Sequence, residues 1–138
     1  MKYDRPIPVP DDATSGFWTA ARKHRLAFQQ CQHCKTFSHP PTQFCKSCSN
    51  LDNPLFEFVP VSGKAKIVNW TVMHDSMVKG FEPPWAIVLA EFPEQAQLFY
   101  VAMLVESDMR DLKIGAEVDT VFHDINAEIS LPCYKLRK

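Results

Sequence analysis

Cys31-Gln-His-Cys34 and Cys45-Lys-Ser-Cys48 are two C-x-x-C pairs with ten residues between them. Two residues between thiolates let one tight turn aim both sulfurs at a single ion, about 2.3 Å from each if it is zinc, and a second pair completes a tetrahedron. The spacing predicts a closed, structural metal site made by Cys31, Cys34, Cys45 and Cys48, with no position open to a substrate. Zinc is the expected ion; iron held by the same four thiolates is the alternative, because the ligand geometry is the same. His33, inside the first pair, and His39, after it, are alternative ligands in a Cys3His set. A disulfide does not suit a reducing compartment. A redox C-x-x-C stands once, at a helix start, rather than twice.

Other reactive side chains are sparse. Cys133, in Ser130-Leu-Pro-Cys133-Tyr134, has no histidine partner in sequence and is expected to be a small buried hydrophobe. His74-Asp75 is one adjacent acid–base pair, expected as a strand-end histidine with a solvated neighbour. Carboxylates paired across a bond, a nucleophile elbow and a glycine-rich phosphate loop are all missing from a chain with four glycines. No residue is assigned a catalytic role.

The elements that must hold these residues follow from patterning. Pro6, Pro8 and Pro10 make the N-terminus an extended arm. Asp11 and Asp12 then precede a helix over Ala13–Arg25, with acids at its positive end and Arg22, Lys23 and Arg25 at the other. Phe17, Ala20, Ala21 and His24 share one face of it, with Trp18 beside them, so that face is expected to be covered. Residues 26–50 read as a short strand, a knuckle, a second short strand over Thr36–Pro40 and a second knuckle, and contain few large apolar residues beyond Leu26, Phe28, Phe37 and Phe44. Bound metal is expected to stabilise such a segment by on the order of 10 kcal/mol. Residues 51–58 read as a connection.

From Val59 onward the pattern is β: Lys64–His74 with a bulge, Trp85–Phe92, Gln97–Glu106, Val118–Asp124 and Ile129–Leu136, with one helical turn at Asp108–Leu112. Five short strands of this kind suit a small closed barrel, the OB-fold. The expected fold is mainly β: an arm and helix over 1–25, a metal ribbon over 26–58 and a five-stranded OB-fold barrel over 59–138.

With 138 residues, 31 of them charged and 46% hydrophobic, the chain is one domain's worth, and disorder, collagen and coiled coil are excluded. The longest apolar runs, Leu98–Val105 with eight residues and Trp85–Ala90 with six, fall far short of the about 20 of a membrane span. MKYDRPIPVPDD lacks the apolar stretch of a secretory signal, so a soluble, cytoplasmic protein is expected. Residues 1–58 carry seven Lys/Arg against five Asp/Glu, and residues 59–138 carry eight against eleven. Neither half has the basic excess of a nucleic-acid binder, although 16 aromatic residues leave a nucleic-acid-binding OB-fold as one alternative and an iron electron carrier as another.

Phe17-Trp18, Leu26-x4-Cys31-x2-Cys34, His39-Pro40-Pro41, Cys45-x2-Cys48, Ser62-Gly63-Lys64, Pro84-Trp85 and Ile114-Gly115 recur in an order that resembles the rubredoxin-like zinc ribbon plus OB-fold family, domain of unknown function 35. The resemblance spans about residues 10–137. Lys35 departs from it by standing where a glycine is common in such knuckles, which bears on knuckle geometry and not on the metal. The resemblance implies a non-catalytic accessory subunit that pairs with a thiolase-fold catalytic subunit. Such complexes make or break carbon–carbon bonds in acyl-CoA thioesters, in thiolase or aldolase fashion, and the small subunit stabilises the large one and helps bind or channel the CoA thioester. The segment Met77–Trp85 is then the candidate contact with CoA or partner, through Lys79, Phe81 and Trp85, with Lys64 and Lys66 as further candidates for CoA phosphates.

Overall fold

The computed structural model of the chain describes residues 4–48 and 55–138. It is mainly β with one α-helix, α1 (Ser15–Arg22), and eight strands: β1 (Ala27–Cys31), β2 (Phe37–Ser38), β3 (Phe56–Pro60), β4 (Lys64–Met73), β5 (Trp85–Glu91), β6 (Phe99–Met103), β7 (Glu117–Asp124) and β8 (Ser130–Leu136).

α1 is shorter than the expected Ala13–Arg25. At its start Asp11 Oδ1 accepts hydrogen bonds from the Thr14 backbone N–H and hydroxyl, both at 2.8 Å, in a turn that precedes the helix. At its end His24 takes a positive φ of 58°, and the Lys23, His24 and Arg25 amides turn back onto the Ala20 and Ala21 carbonyls. Phe17 and Ala21 are buried, so the aromatic helix face is covered by this chain itself.

β2 and β3 flank β1 in one antiparallel sheet. The strand expected over Thr36–Pro40 shrinks to Phe37–Ser38. Phe56–Phe58, read as part of the connection 51–58, belong to a full strand, Phe56–Pro60, paired with Ala27–Cys31; of the connection, 51–54 lies outside the described residues. β3 exists because β1 offers it an edge, a non-local cause.

The five remaining strands run β6-β5-β4-β7-β8, and a parallel bridge between Leu104 and Tyr134 joins the two ends into a nearly closed barrel of OB-fold type. Strand alternation builds its core: Ala86, Val88 and Ala90 point inward from β5. In β4, Ala65 and Ile67 face in, the register shifts between Ile67 and Asn69, and Trp70 and Val72 then pack on the core. This is the expected bulge. β6 stops at Met103, short of the expected Glu106, whose φ of 49° ends the extended backbone.

Ribbon and barrel share one aromatic core. The ring of fully buried Phe28 on β1 lies 5.4 Å from Phe92 and 5.9 Å from Tyr100. The Gln95 side chain acts as a one-residue strand extension: its oxygen accepts from the Phe37 amide at 2.8 Å and its nitrogen donates to the Phe37 carbonyl at 3.0 Å.

Candidate metal centre and the loop beside the barrel

β1 delivers Cys31 to the first knuckle. There the Lys35 amide donates to the Cys31 carbonyl at 2.7 Å and the Cys31 amide to the Thr36 carbonyl at 2.9 Å. This turn needs a left-handed residue, and Lys35 supplies it at φ 63° without being glycine. The departure seen in the sequence is therefore a strained position within an intact knuckle. The Gln30 amide nitrogen donates to the Lys35 carbonyl at 3.1 Å and the Lys35 ammonium to Gln32 Oε1 at 2.8 Å, contacts that hold the turn.

The four cysteine sulfurs all lie within 4.8 Å of one another. Cys31 and Cys48 sulfurs are 3.8 Å apart, and those of Cys34 and Cys45 are 3.5 Å apart. A tetrahedron with zinc–sulfur bonds of about 2.3 Å has edges of about 3.8 Å, whereas a disulfide is about 2.0 Å. The donor set fits one four-coordinate thiophilic ion. Cys31 and Cys45 are buried, and Cys34 lies nearer the surface. The Thr36 hydroxyl, 3.2 Å from Cys34 Sγ, and the Thr36 backbone hold that thiol down to about 6, so it is ready to be a thiolate ligand near neutral pH.

The alternative histidines stand elsewhere. His33 is exposed on the knuckle. His39 sits in the aromatic core, 4.9 Å from Phe28, 5.3 Å from Tyr100 and 6.1 Å from Phe17, and burial lowers its pKa. Cys133 is buried as expected, and burial pushes its thiol up to about 11. His74 and Asp75 are both exposed just after β4.

In the β4–β5 loop the structure brings Phe81 and Trp85 together and leaves Lys79 exposed. The two rings stack at 4.7 Å with 27° between planes. Arg5 from the arm lies over the Phe81 ring, 4.6 Å from its centre. Phe81 is thus half-buried within its own chain. Lys64 and Lys66 border a cavity of about 380 Å³ with Glu91, Glu117 and Arg137, a mixed-charge setting rather than a purely cationic one.

Sequence reasoning missed the contact of His24 with the barrel. Its ring stacks on Phe122 at 5.3 Å and its Nε2 lies 2.8 Å from Asp124 Oδ1. The partners are 98 and 100 residues away, so no local pattern marks them.

A four-thiol knuckle sheet fused through an aromatic core to a five-stranded OB-type barrel defines a zinc-ribbon and OB-fold protein. Residues 18–52 match the family described as the ChsH2 rubredoxin-like zinc ribbon domain, and residues 58–123 the ChsH2 C-terminal OB-fold domain. The chain belongs to the DUF35 family: it is 30% identical over 101 residues to a DUF35 domain-containing scaffold protein of Methanocaldococcus jannaschii, covering 72% of this chain and 68% of that protein. It is 29% identical over 131 residues to a probable enoyl-CoA hydratase alpha subunit of Thermomonospora curvata, covering 95% of this chain but only 40% of that relative. Among solved structures, a chain of the Ltp2-ChsH2(DUF35) aldolase aligns with a TM-score of 0.82 and 27% identity, over 94% of this chain and 98% of that one. A DUF35 protein of unknown function from Sulfolobus solfataricus shares the fold, with a TM-score of 0.61 and 16% identity over 91% of this chain and 86% of that one. No helix among the described residues is long and apolar enough to cross a membrane.

Proposed function

We propose that this chain is a non-catalytic accessory subunit of a thiolase-superfamily acyl-CoA complex, with zinc at Cys31, Cys34, Cys45 and Cys48. The observation that carries this reading is the likeness, over nearly the full length of both chains, to the DUF35 chain of an aldolase. The site chemistry agrees: a closed four-thiol set has no open coordination position, so the ion cross-links the two knuckles and does not activate a substrate. The catalytic partner is a thiolase-fold subunit that makes or breaks carbon–carbon bonds in a CoA thioester. In this reading the Met77–Trp85 loop, with Lys79 exposed and Phe81 and Trp85 stacked behind it, faces the thioester or the partner. The protein acts in the cytoplasm.

The experiment is a pull-down from native extract with this chain as bait, followed by mass identification of the companion and acyl-CoA turnover assays with and without it. The expected result is a larger thiolase-fold companion, turnover only in the complex, and one zinc per chain. Turnover by the isolated chain at the complex's rate, or an iron-loaded, reversibly reducible protein, would overturn the reading.

A further inference from the structure

The barrel closes unevenly. The residues just after β6 meet β8 through the Leu104–Tyr134 bridge and the hydrogen bond from the Val105 amide to the Tyr134 carbonyl at 2.8 Å, and the Tyr134 hydroxyl donates to the Tyr100 carbonyl of β6 at 2.9 Å. Beside that bridge lies a cavity of about 700 Å³, with Met103 and Val105 on one wall and Leu131 and Cys133 on the other. Arg5 of the arm lines the same cavity.

Arg5 is fastened on three sides. Its Nε donates to the Gly80 carbonyl at 3.0 Å, one terminal nitrogen to Met103 Sδ at 3.2 Å, and its guanidinium covers Phe81. The seat is shaped for the arm. Gly80 has a φ of +94°, and a Cβ there would come within 2.8 Å of the Arg5 backbone nitrogen and 2.9 Å of the Asp4 carbonyl carbon. Past Arg5 the fastening ends. Pro6, Pro8 and Pro10 have no amide hydrogen, no backbone–backbone hydrogen bond joins residues 4–10 to the barrel among the described residues, and Val9 is 87% exposed. A segment held by the Arg5 side chain and by close packing of the Asp4–Arg5 backbone on Gly80, with no ladder among the described residues, can open without breaking a strand pairing.

We propose that the N-terminal arm is a strap along this seam cavity, latched by Arg5, and that the buried Cys133 thiol at its wall is reached only when the strap lifts. This is independent of the assembly proposed above, because it concerns the isolated chain.

Cys133 is the reporter. The metal-loaded protein is treated with iodoacetamide, and alkylation of the Cys133 peptide is followed by mass spectrometry, for the unmodified chain and for Arg5→Ala. The expected result is labelling at least tenfold faster in Arg5→Ala, and a rate in the unmodified chain that stays flat across urea concentrations below the unfolding transition, as a local opening requires. Equal rates in the two proteins overturn the proposal. So does a rate in the unmodified chain that climbs with the full urea dependence of global unfolding. That second measurement decides alone if Arg5→Ala does not fold.

Discussion

The Tyr134 hydroxyl donates a hydrogen bond to the Tyr100 carbonyl at 2.9 Å, tying β8 to β6 from inside the barrel. Tyr134 is fully buried, and its ring meets those of Phe92 at 6.5 Å and Tyr100 at 6.3 Å, so one side chain serves the seam and the aromatic core that ribbon and barrel share. Burial raises the pKa of this hydroxyl, which keeps its proton for the bond.

Tyr134→Phe keeps the ring and removes the seam bond. It is expected to lower stability by about 1–2 kcal/mol, since a part-buried hydrogen bond across the seam is lost. Urea unfolding of the two proteins measures it, and an unchanged midpoint would mean the bond is not what holds the seam.

Removing the metal is expected to unfold the knuckles. Their own apolar content is small, and a structural ion contributes on the order of 10 kcal/mol to such elements. A chelator, or Cys31→Ser or Cys45→Ser, should abolish amide protection from about residue 29 to 48 and weaken assembly with the proposed partner, without removing a reacting group. Hydrogen exchange and metal analysis test this; full protection and unchanged assembly after complete metal loss contradict it.

His39 makes stability depend on pH. Burial lowers its folded pKa below the ordinary value of about 6.5, so the unfolded chain takes up a proton that the folded chain refuses. Its contribution is therefore present above pH 6.5 and declines as the pH falls below 6.5 toward the lower folded value. His39→Phe should flatten the fall in urea midpoint between pH 7 and 5. An equal fall in both proteins would assign it to other groups.

Gly16→Ala sets two effects against each other. Helix propensity favours alanine by about 1 kcal/mol. However, a Cβ on Gly16 would overlap the Phe58 ring of β3, and overpacking costs about 1–3 kcal/mol. The clash is expected to win, because the ring is held between helix and sheet. Thermal unfolding should show a lower midpoint, and a raised one would mean that Phe58 yields freely.

What was legible in the sequence was what short-range rules encode. The C-x-x-C spacing specifies which sulfurs converge, because each pair is set by one turn. An uninterrupted apolar run marks β5, and the change of phase from Ala65 and Ile67 to Trp70 and Val72 marks the bulge in β4. The helix was overextended because Lys23–Arg25 carries suitable charges, while the left-handed turn at His24 leaves no compositional mark. For Phe81 the stacking partner Trp85 is only four residues away, whereas Arg5, which covers its other side, lies 76 residues away and leaves no local mark.

By itself the sequence determined the four-thiol set, the β-rich barrel strands and the family resemblance, all carried by spacings of a few residues. The tertiary structure alone decided that Phe56–Pro60 is a strand, that Tyr134 closes the seam against Tyr100, that His39 belongs to the core, and that Arg5 covers Phe81. The physical reason is common to these four. Each depends on a partner distant along the chain, and such contacts form only once the whole chain has folded, whereas a metal knuckle or an alternating strand is prefigured by its nearest neighbours.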